Sequence, residues 1–419
     1  MAESRTAEKS KTDTRSAPAE AGALRSLLAK PLASYYLLLT SAALLLSIGL
    51  AMVFSSTMVR AYAEYGNPYT AIALQATWAL IGLVAFWIAQ RLPASTYRSL
   101  GRPLLVLSLL LGLFLFFFPD IQGGAFGTDD LWIHIGPVQF QPAEIAKFAL
   151  LLWASDALVR LDDRIVSWKE LAMPLFPVAA FLMLAVGIKD LGTMLIMVSI
   201  FAGLLWASGV PARFLGILAA VGIAAVAVLV SLQGHRTERF QSFVDPEKYS
   251  DTIGYQAIQG YYAIADGGWL GVGLGESRQK WNWLPNGHND FILALIAEEL
   301  GVVGCLVILG LFGVFLYTGF RIARRSENRF RSLVASGVTI WIAAQAFINI
   351  GGVIGLIPMT GVPLPFISDG GTALVVILAA VGMLAGFARA EPDAARVLHA
   401  RNPSRWSRLL WAPLPPLGK

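Results

Sequence analysis

Charged residues are scarce in this chain. Asp, Glu, Lys and Arg make up only 14% of its 419 residues, whereas 56% are hydrophobic. A soluble protein of this length carries far more charge, so the composition excludes that class and indicates a protein of the lipid bilayer. Cysteine is nearly absent as well. Cys305 stands alone inside an apolar run, which excludes a disulfide within the chain and leaves packing as its simplest role.

A secretory signal is also missing from the N-terminus. Residues 1–23 are rich in Ala, Ser, Thr, Glu, Lys and Arg and have no apolar core. We therefore expect a disordered, basic cytoplasmic tail over 1–34. The membrane domain is expected over 35–388, and a second basic cytoplasmic tail over 389–419.

Long hydrophobic runs, in contrast, are abundant. A helix needs about 20 apolar residues to cross a hydrocarbon core of about 30 Å. The fold class predicted on this basis is an all-α polytopic membrane protein with about ten transmembrane helices. The predicted spans are 35–57, 70–90, 103–119, 142–159, 173–188, 190–209, 213–232, 290–320, 330–358 and 363–388.

The basic residues predict the orientation of these spans. With ten spans, the Lys and Arg residues of both tails and of every second connection fall on one side, which places both termini in the cytoplasm. The connection 233–289 lies outside and carries several cations, as long translocated loops can. A loop of this length in a compact protein is usually functional or disordered. Because it is rich in Tyr, Trp and Gly, we expect it to fold onto the membrane surface.

Charges within or beside the spans are costly in lipid and tend to face a bundle interior or a water-filled cavity. Glu144 and Lys147 share one helix face, and the alternative to a functional role is a structural ion pair. Asp190 lies at an external helix boundary, where it could simply cap the helix. Of Glu298 and Glu299 in the eighth span, at least one should be buried and paired.

Two amides share one face of the ninth span. Gln345 and Asn349 are four residues apart, which suits hydrogen bonding between helices.

The stretch "NWLPNGHNDF", residues 282–291, precedes the eighth span and contains His288 and Asp290. Pro285 to Gly287 predict a turn, after which Asn289 or Asp290 would begin the helix. Asp290 then has two interpretations, a first-turn carboxylate favoured by the helix dipole or a catalytic group. The catalytic interpretation gains weight from outer-side cations, which suit a phosphorylated lipid substrate; these are Lys147, Arg236, Arg239, Arg278 and Lys280.

Two weaker motif matches are set aside. "GVGLG", residues 271–275, has no preceding strand of a βαβ unit, so we expect no nucleotide site there. "SRQK", residues 277–280, lacks the other motifs of penicillin-binding enzymes. The glycines more simply allow tight turns at a membrane surface, and no nucleic-acid partner is expected.

Three segments resemble the SEDS family (shape, elongation, division and sporulation), and within it the actinobacterial FtsW branch. They are "RTERFQSFVDPE", "GYQAIQGYYAIADGGWLGVGLGESRQKWNWLPNGHNDFILALIAEELG" and "GLIPMTGVPLPFISDGGTAL". The resemblance extends from about Tyr35 to Ala390. It implies a ten-span peptidoglycan glycosyltransferase that polymerises lipid II, the undecaprenyl-pyrophosphate-linked disaccharide pentapeptide, outside the cytoplasmic membrane. It further implies a class B penicillin-binding protein and other divisome proteins as partners, membrane lipid as surroundings, and the division septum as location.

The resemblance also implies roles for individual residues. The family's essential aspartate falls on Asp290, which we expect to be the catalytic base. The family's motifs also fall on five expected substrate contacts, namely Glu144, Lys147, Asp190, Arg236 and Arg239. Lys280, an outer-side cation, and His288, a neighbour of Asp290, are added to them from their chemistry and position. His288 has three open interpretations: a second acid or base, a substrate contact, or a loop hydrogen bond. No cofactor is certain; a divalent cation, Mg²⁺ or Mn²⁺, near Asp190 or Glu144 is an open alternative.

This sequence departs from the family pattern in three places. Lys189 replaces a usual proline, "GTDDLW" lacks a usual arginine, and Asp369 stands in "SDGG". These changes alter the expected charge of the cavity and leave the Asp290 motif intact. The alternatives kept open are a lipid II flippase, a RodA-like elongation polymerase, and a silent scaffold that recruits the transpeptidase.

Overall fold

The computed structural model describes residues 29–118, 121, 126–128, 131–135, 138–161, 168–232, 234–400 and 414. The expectations for the tails therefore lie largely outside the described residues. The same holds for the two aspartates of "GTDDLW".

Thirteen α-helices make up most of the described chain, and they confirm the all-α polytopic class. Ten of them coincide with the ten predicted spans. In chain order the helices are α1 Ala33–Tyr65, α2 Thr70–Ala89, α3 Ala94–Phe117, α4 Pro142–Leu161, α5 Trp168–Gly187, α6 Leu191–Ala207, α7 Ala212–Ser231, α8 Gly234–Val244, α9 Ile253–Gly267, α10 Ile292–Arg325, α11 Arg329–Val353, α12 Gly371–Arg389 and α13 Pro392–Ala400.

Seven of these helices are long and apolar enough to cross a membrane: α1, α2, α3, α7, α10, α11 and α12. Part of α5, Met173–Gly187, and the whole of α6 are shorter apolar helices. α4 matches the remaining predicted span but carries four charged residues. Two of them, Glu144 and Lys147, belong to the candidate site. The chain is thus a multi-pass membrane protein, whereas the side on which its termini lie stays a prediction.

Burial distinguishes the inner helices from the outer ones. In α11 and α12, 72% and 67% of the spanning window is buried, whereas none of α7 is. Trp341 and Lys147 are among the largest fully buried side chains. Glu144 and Lys147 of α4 and Gln345 and Asn349 of α11 therefore lie inside the bundle. The exposed Leu, Val and Ile residues of α2, α3 and α7 form its lipid-facing surface.

A small antiparallel sheet, which the sequence did not predict, stands in front of α4. Its strands are β1 Phe126–Thr128, β2 Ile133–Ile135 and β3 Val138–Phe140, in that order. Phe126 pairs with Ile135, and Ile133 pairs with Phe140. Strand β3 leads into Pro142, the first residue of α4, a position that proline favours. The sheet thereby sets where α4 begins.

The eighth predicted span is not one straight helix. α10 is broken at Gly301, whose φ of 67° and ψ of −168° are not helical. The loop after α9 repairs the broken hydrogen-bond ladder on both sides. Val272 and Gly273 donate to the carbonyls of Glu298 and Glu299, at 2.9 and 3.1 Å.

On the other side of the break, the N–H groups of Val302 and Val303 bond to the carbonyls of Gly268 and Trp269. The segment 292–300 is therefore a half-helix held by the long loop. That loop contains α8, α9 and a 3₁₀ turn at Glu247–Tyr249, so the expectation that it is folded is confirmed.

Candidate active site

The turn before α10 has the predicted form, but it does not make Asp290 a helix cap. The N–H of Gly287 bonds to the carbonyl of Leu284 at 3.3 Å, and Asn286 has a φ of 51°. α10 begins at Ile292, and the residue before it makes no side-chain cap. The Oδ1 atom of Asp290 is buried and has no hydrogen-bond partner among the described residues. The expectation that Asn289 or Asp290 starts the helix is therefore wrong.

Two polar side chains fix the backbone of this turn. Asn349 on α11 donates to the carbonyl of Asp290 at 2.9 Å and to that of Val362 at 2.8 Å. Ser368 donates to the carbonyl of Asn289 at 2.7 Å. The predicted interhelical role of Asn349 is confirmed in part, since its partners are loop carbonyls. The role of Ser368 was missed, because nothing in its local sequence signals a contact with residue 289.

The carboxylate of Asp290 faces the loop before α12. A cavity of about 20 Å³ lies between Asp290, Asn349 and residues 359–362. A Cβ placed on Gly361 would stand 3.7 Å from Oδ2 of Asp290. Gly361 and the residues beside it therefore lie against the carboxylate.

Burial raises the pKa of Asp290 to about 6. The charge of Arg239 opposes this rise, and that of Asp190 adds to it. A carboxyl whose pKa lies near neutrality is suited to general-base chemistry, because it is ionised at working pH yet basic enough to accept a proton.

Arg236 and Arg239 lie three residues apart on α8 and have different surroundings. Arg236 is buried, and its guanidinium donates to the carbonyls of Gly187 and Ile188 at 2.9 and 2.8 Å. It therefore closes the C-terminal end of α5. Arg239 is exposed, and its charge acts on both Asp290 and Arg236.

Asp190 caps α6, as its position predicted. Its carboxylate accepts from the backbone N–H of Thr193 at 2.9 Å and from that residue's hydroxyl at 2.7 Å. Gln141, at the end of the sheet, donates to the same carboxylate at 3.1 Å. Asp190 and Lys189 also border an apolar cavity of about 290 Å³ between α3, α4 and α5.

Glu144 and Lys147 form a buried ion pair, 2.8 Å from Nζ to Oε1, with exposures of 3% and 1%. Lys147 also lies 3.4 Å from Oε1 of Gln345 and 5.2 Å from the ring centroid of Trp341. The structural ion pair that the sequence left open is thus present. One carboxylate oxygen of Glu144, Oε2, is buried without a hydrogen-bond partner among the described residues.

Lys280 is engaged inside the long loop. Its ammonium donates to the carbonyl of Gly275 and lies 3.8 Å from Glu299, which also accepts from Ser55 at 2.6 Å. Glu298 accepts from the hydroxyl of Ser277 and from the backbone of Arg278 at 2.8 Å. Both glutamates are therefore buried and hydrogen-bonded, whereas the sequence predicted this for at least one of them.

His288 lies close to Asp290 in sequence, but its described contact is made by its backbone. Its carbonyl accepts from the N–H of Asp369 at 3.2 Å. Burial and the charge of Arg60 lower the pKa of its imidazole, against a smaller opposing effect of Glu64. Burial raises the pKa of Asp369, against the charge of Arg60. The structure assigns no single role to the His288 ring, and its contact with substrate stays a prediction.

The residues available for a metal are few. Within the described ranges no three His, Cys, Asp or Glu side chains form a group that could hold an ion. Asp190 and Asp290 interact through their charges. The carboxylate of Asp190 is already bonded to Thr193 and Gln141, so a divalent cation near Asp190 or Glu144 stays a prediction.

Comparison with known proteins places this arrangement in a family. The model of the FtsW, RodA and SpoVE group, described as cell cycle protein, matches residues 35–392. The chain belongs to the FtsW/RodA/SpoVE family. The probable peptidoglycan glycosyltransferase FtsW of Mycobacterium tuberculosis is 42% identical over 390 residues, which cover 93% of this chain and 74% of that protein.

Two solved structures share the FtsW/RodA/SpoVE fold. One is a chain of a peptidoglycan synthase complex that coordinates polymerization and crosslinking, with a TM-score of 0.66 and 26% identity over 84% of this chain and 97% of that one. The other is the rod shape determining protein RodA of Thermus thermophilus, with a TM-score of 0.60 and 25% identity over 84% and 96%.

Proposed function

We propose that this protein is a peptidoglycan glycosyltransferase that polymerises lipid II at the outer face of the cytoplasmic membrane, for septal wall synthesis. Family membership and the name of the Mycobacterium tuberculosis relative support the reaction class. The observation that carries the assignment of the site is the carboxylate of Asp290. It is buried, free of any cap, and raised in pKa to about 6.

Asp290 acts as the general base. The 4-hydroxyl of the acceptor sugar is a weak nucleophile, and Asp290 removes its proton as the hydroxyl attacks the anomeric carbon of the donor. Such proton transfer contributes about 10²–10⁴-fold. An α-linked donor and a β-linked product require one inversion, so no covalent enzyme intermediate forms.

Arg239 is the cation best placed to stabilise the leaving pyrophosphate. It is exposed, and its charge already acts on Asp290. Lys147, Arg236 and Lys280 remain candidates for substrate binding, but each is engaged with protein groups. We propose that these three position the walls of the site and contribute positive electrostatic potential, whereas Arg239 contacts the phosphates directly.

The apolar cavity beside Asp190 suits part of a prenyl chain. Its lining from α3, α4 and α5 is almost entirely hydrophobic, and the two charged groups Lys189 and Asp190 lie at one edge. A lipid tail held there would bring its phosphates toward the outer side of the bundle. A Mg²⁺ or Mn²⁺ ion near Asp190 or Glu144 would supply positive charge for the leaving group, and no step here depends on it.

A class B penicillin-binding protein is the proposed partner, within a larger division complex. The structural neighbour from a peptidoglycan synthase complex supports such an assembly. The buried polar side chains near Asp290 form one connected group: Glu144 pairs with Lys147, Lys147 approaches Gln345, and Gln345 and Asn349 bond to carbonyls of the loops around Asp290. A flippase needs a polar path across the whole bilayer, so polar groups gathered at the outer side favour an enzyme. Identity with FtsW at 42%, against 25% with RodA, favours the septal role.

Polymerisation of purified lipid II by the purified protein with its partner tests the proposal. We expect glycan polymer from the wild type and from Asp251→Asn, an exposed carboxylate of the same loop, and a loss of about 10²-fold or more from Asp290→Asn. Full polymer from the Asp290 variant would exclude the base. If the protein translocates the lipid II headgroup in liposomes and forms no polymer, it is a flippase and the proposed enzyme activity is wrong.

A further inference from the structure

The break in α10 lies level with one boundary of the membrane. After Gly301 the helix continues over residues 302–320, which rise about 28 Å, close to a hydrocarbon thickness of about 30 Å. The last turn carries Arg324 and Arg325, and such basic residues mark the boundary at that end. Gly301 therefore marks the opposite boundary, on the side of Asp290.

The outward face of α10 is apolar from this level onward. Val302, Val303, Leu306 and Val307 are between 41% and 57% exposed. In a multi-pass membrane protein such a face is covered by acyl chains, because its backbone polar groups are satisfied within the helix. The lipid-facing surface of α10 thus begins directly after the break.

The turn after α9 presents two further apolar side chains at the same level. Trp269 is 74% exposed and Leu270 is 80% exposed; these two side chains are called the wedge. The carbonyl of Trp269 accepts from the N–H of Val303 at 3.2 Å, and that of Gly268 accepts from Val302 at 3.0 Å. The backbone bonds therefore fix the wedge beside the start of the lipid-facing surface.

Close packing on both flanks of the wedge prevents the turn from shifting. A Cβ on Gly267 would lie 1.8 Å from the carbonyl oxygen of Ala297, and one on Gly271 would lie 2.1 Å from that of Glu299. Gly271 also has a φ of 79°, which favours glycine. The backbone is thus pressed against the first half of α10, and the wedge can only point outward.

The surroundings of the wedge suit the boundary between headgroups and acyl chains. Asp266 and Arg278 are exposed charged residues of the same loop, and charges are tolerated among headgroups but costly in hydrocarbon. Tryptophan is enriched at this boundary, where its ring is amphipathic. An exposed apolar pair at this height marks an interaction surface, and its continuity with the outward face of α10 indicates lipid as the occupant.

We propose that the wedge inserts into the lipid leaflet on the Asp290 side and anchors the broken helix at its boundary. The N–H groups of Val272 and Gly273 bond to carbonyls at the end of the half-helix 292–300. The lipid anchor is therefore tied through backbone bonds to the segment that follows Asp290. The inference concerns the position of this segment in the membrane and does not depend on the proposed reaction.

Spin labels on single cysteines measure where the wedge lies. The full-length protein carries Cys305→Ala, which removes its one native thiol, together with either Leu270→Cys or Trp269→Cys. It is reconstituted in vesicles of phosphatidylglycerol and phosphatidylethanolamine. Collisions of the label with oxygen, which enters hydrocarbon, are compared with collisions with a water-soluble nickel chelate. Leu306→Cys provides the lipid reference and Asp251→Cys, at an exposed loop position, provides the water reference.

We expect both wedge labels to lose most nickel collisions and to keep oxygen collisions, as the Leu306 label does, while the Asp251 label does the opposite. Nickel collisions as frequent as at Asp251 would place the wedge in water and overturn the proposal. Few collisions with either reagent would mean that protein covers the wedge, either a second copy or another segment of the chain, and would also overturn it. If the Trp269 variant fails to fold, the Leu270 label decides the test.

Discussion

Asn349 holds the backbone of Asp290 from inside the bundle. Its side-chain nitrogen lies 2.9 Å from the carbonyl oxygen of Asp290 and 2.8 Å from that of Val362. One amide thus joins the turn before α10 to the loop before α12. Because those two segments form opposite walls of the small cavity, the position of the carboxylate depends on Asn349.

Asn349→Ala should slow polymerisation by about 10- to 100-fold, because small misplacements of a reacting group have effects of this size. The loss should appear in kcat more than in KM, since Asn349 does not face the solvent-exposed side of the site. Unpairing two carbonyls should also lower the free energy of unfolding by about 1–3 kcal/mol. Initial rates at saturating lipid II, measured well below the unfolding temperature, check this prediction.

Asn328→Ala is the matched control. Asn328 caps the other end of the same helix by accepting from the N–H of Arg331 at 3.2 Å. Its loss should cost about 1 kcal/mol of stability and leave the rate unchanged. If the two alanine variants lose activity equally, the effect is one of general stability and Asn349 has no positioning role.

Hydrophobic run lengths were sufficient to predict the ten helices, because a bilayer requires about 20 apolar residues per crossing. Local patterns also located the cap at Asp190 and the pair of Glu144 and Lys147. The break at Gly301 could not be predicted in this way. It depends on backbone hydrogen bonds to residues about thirty positions earlier, which leave no hydropathy signal in the sequence.

The same reason explains what was missed in the candidate site. Arg236 and Lys280 stay predicted substrate contacts, but the sequence did not reveal that both are bonded to protein carbonyls. Their bonds to the carbonyls of Ile188 and Gly275 are set by tertiary packing, which charge counting does not detect. Asp290 was found from its motif, but the absence of a capping bond became visible only in the structure.

Asp290→Asn should stabilise the protein at neutral pH while abolishing polymerisation. The pKa of Asp290 is about 6, above its ordinary value of 3.8. A raised carboxyl pKa means that the folded state binds its proton more tightly, so stability falls as the pH rises from about 4 through 6. The neutral amide avoids this loss, which for two pKa units amounts to at most about 3 kcal/mol.

Thermal unfolding of wild type and Asp290→Asn between pH 4 and pH 8 measures this difference. We expect the curves to meet near pH 4, to separate between pH 4 and pH 6, and to stay apart above pH 6, with the amide variant the more stable. Asp251→Asn should follow the wild type throughout, because that residue is exposed. Curves that separate at low pH and meet at high pH would mean that Asp290 is stabilised in its ionised form.

Arg239 should control the pH dependence of the reaction. If Asp290 is the base, kcat/KM should fall below about pH 6, where the carboxylate is protonated. The charge of Arg239 lowers that pKa, so Arg239→Gln should move the acid limb to higher pH. Lys248→Gln, an exposed cation of the same loop, should leave the limb in place. If the acid limb of the pH profile does not move in Arg239→Gln, the charge of Arg239 does not set the pKa of the catalytic base.

Gly301→Ala should unfold the junction that holds the half-helix of Asp290. With a φ of 67° and a ψ of −168°, Gly301 occupies backbone space that is essentially restricted to glycine. A Cβ there would lie 2.5 Å from both the amide nitrogen of Gly271 and the carbonyl oxygen of Trp269. Because both neighbours are backbone atoms, they cannot move aside without breaking the hydrogen bonds across the break.

We expect Gly301→Ala to cost about 3 kcal/mol and to remove activity together with stability. Gly310→Ala, on the same helix, provides the comparison. Its Cβ would meet no atom within 4 Å, and alanine is favoured over glycine inside a helix by about 0.5–1 kcal/mol. That variant should be as stable as the wild type or more so, and fully active. Thermal unfolding and lipid II polymerisation of the two variants decide the matter: if Gly301→Ala behaves like Gly310→Ala, the helix is continuous and the loop does not hold Asp290.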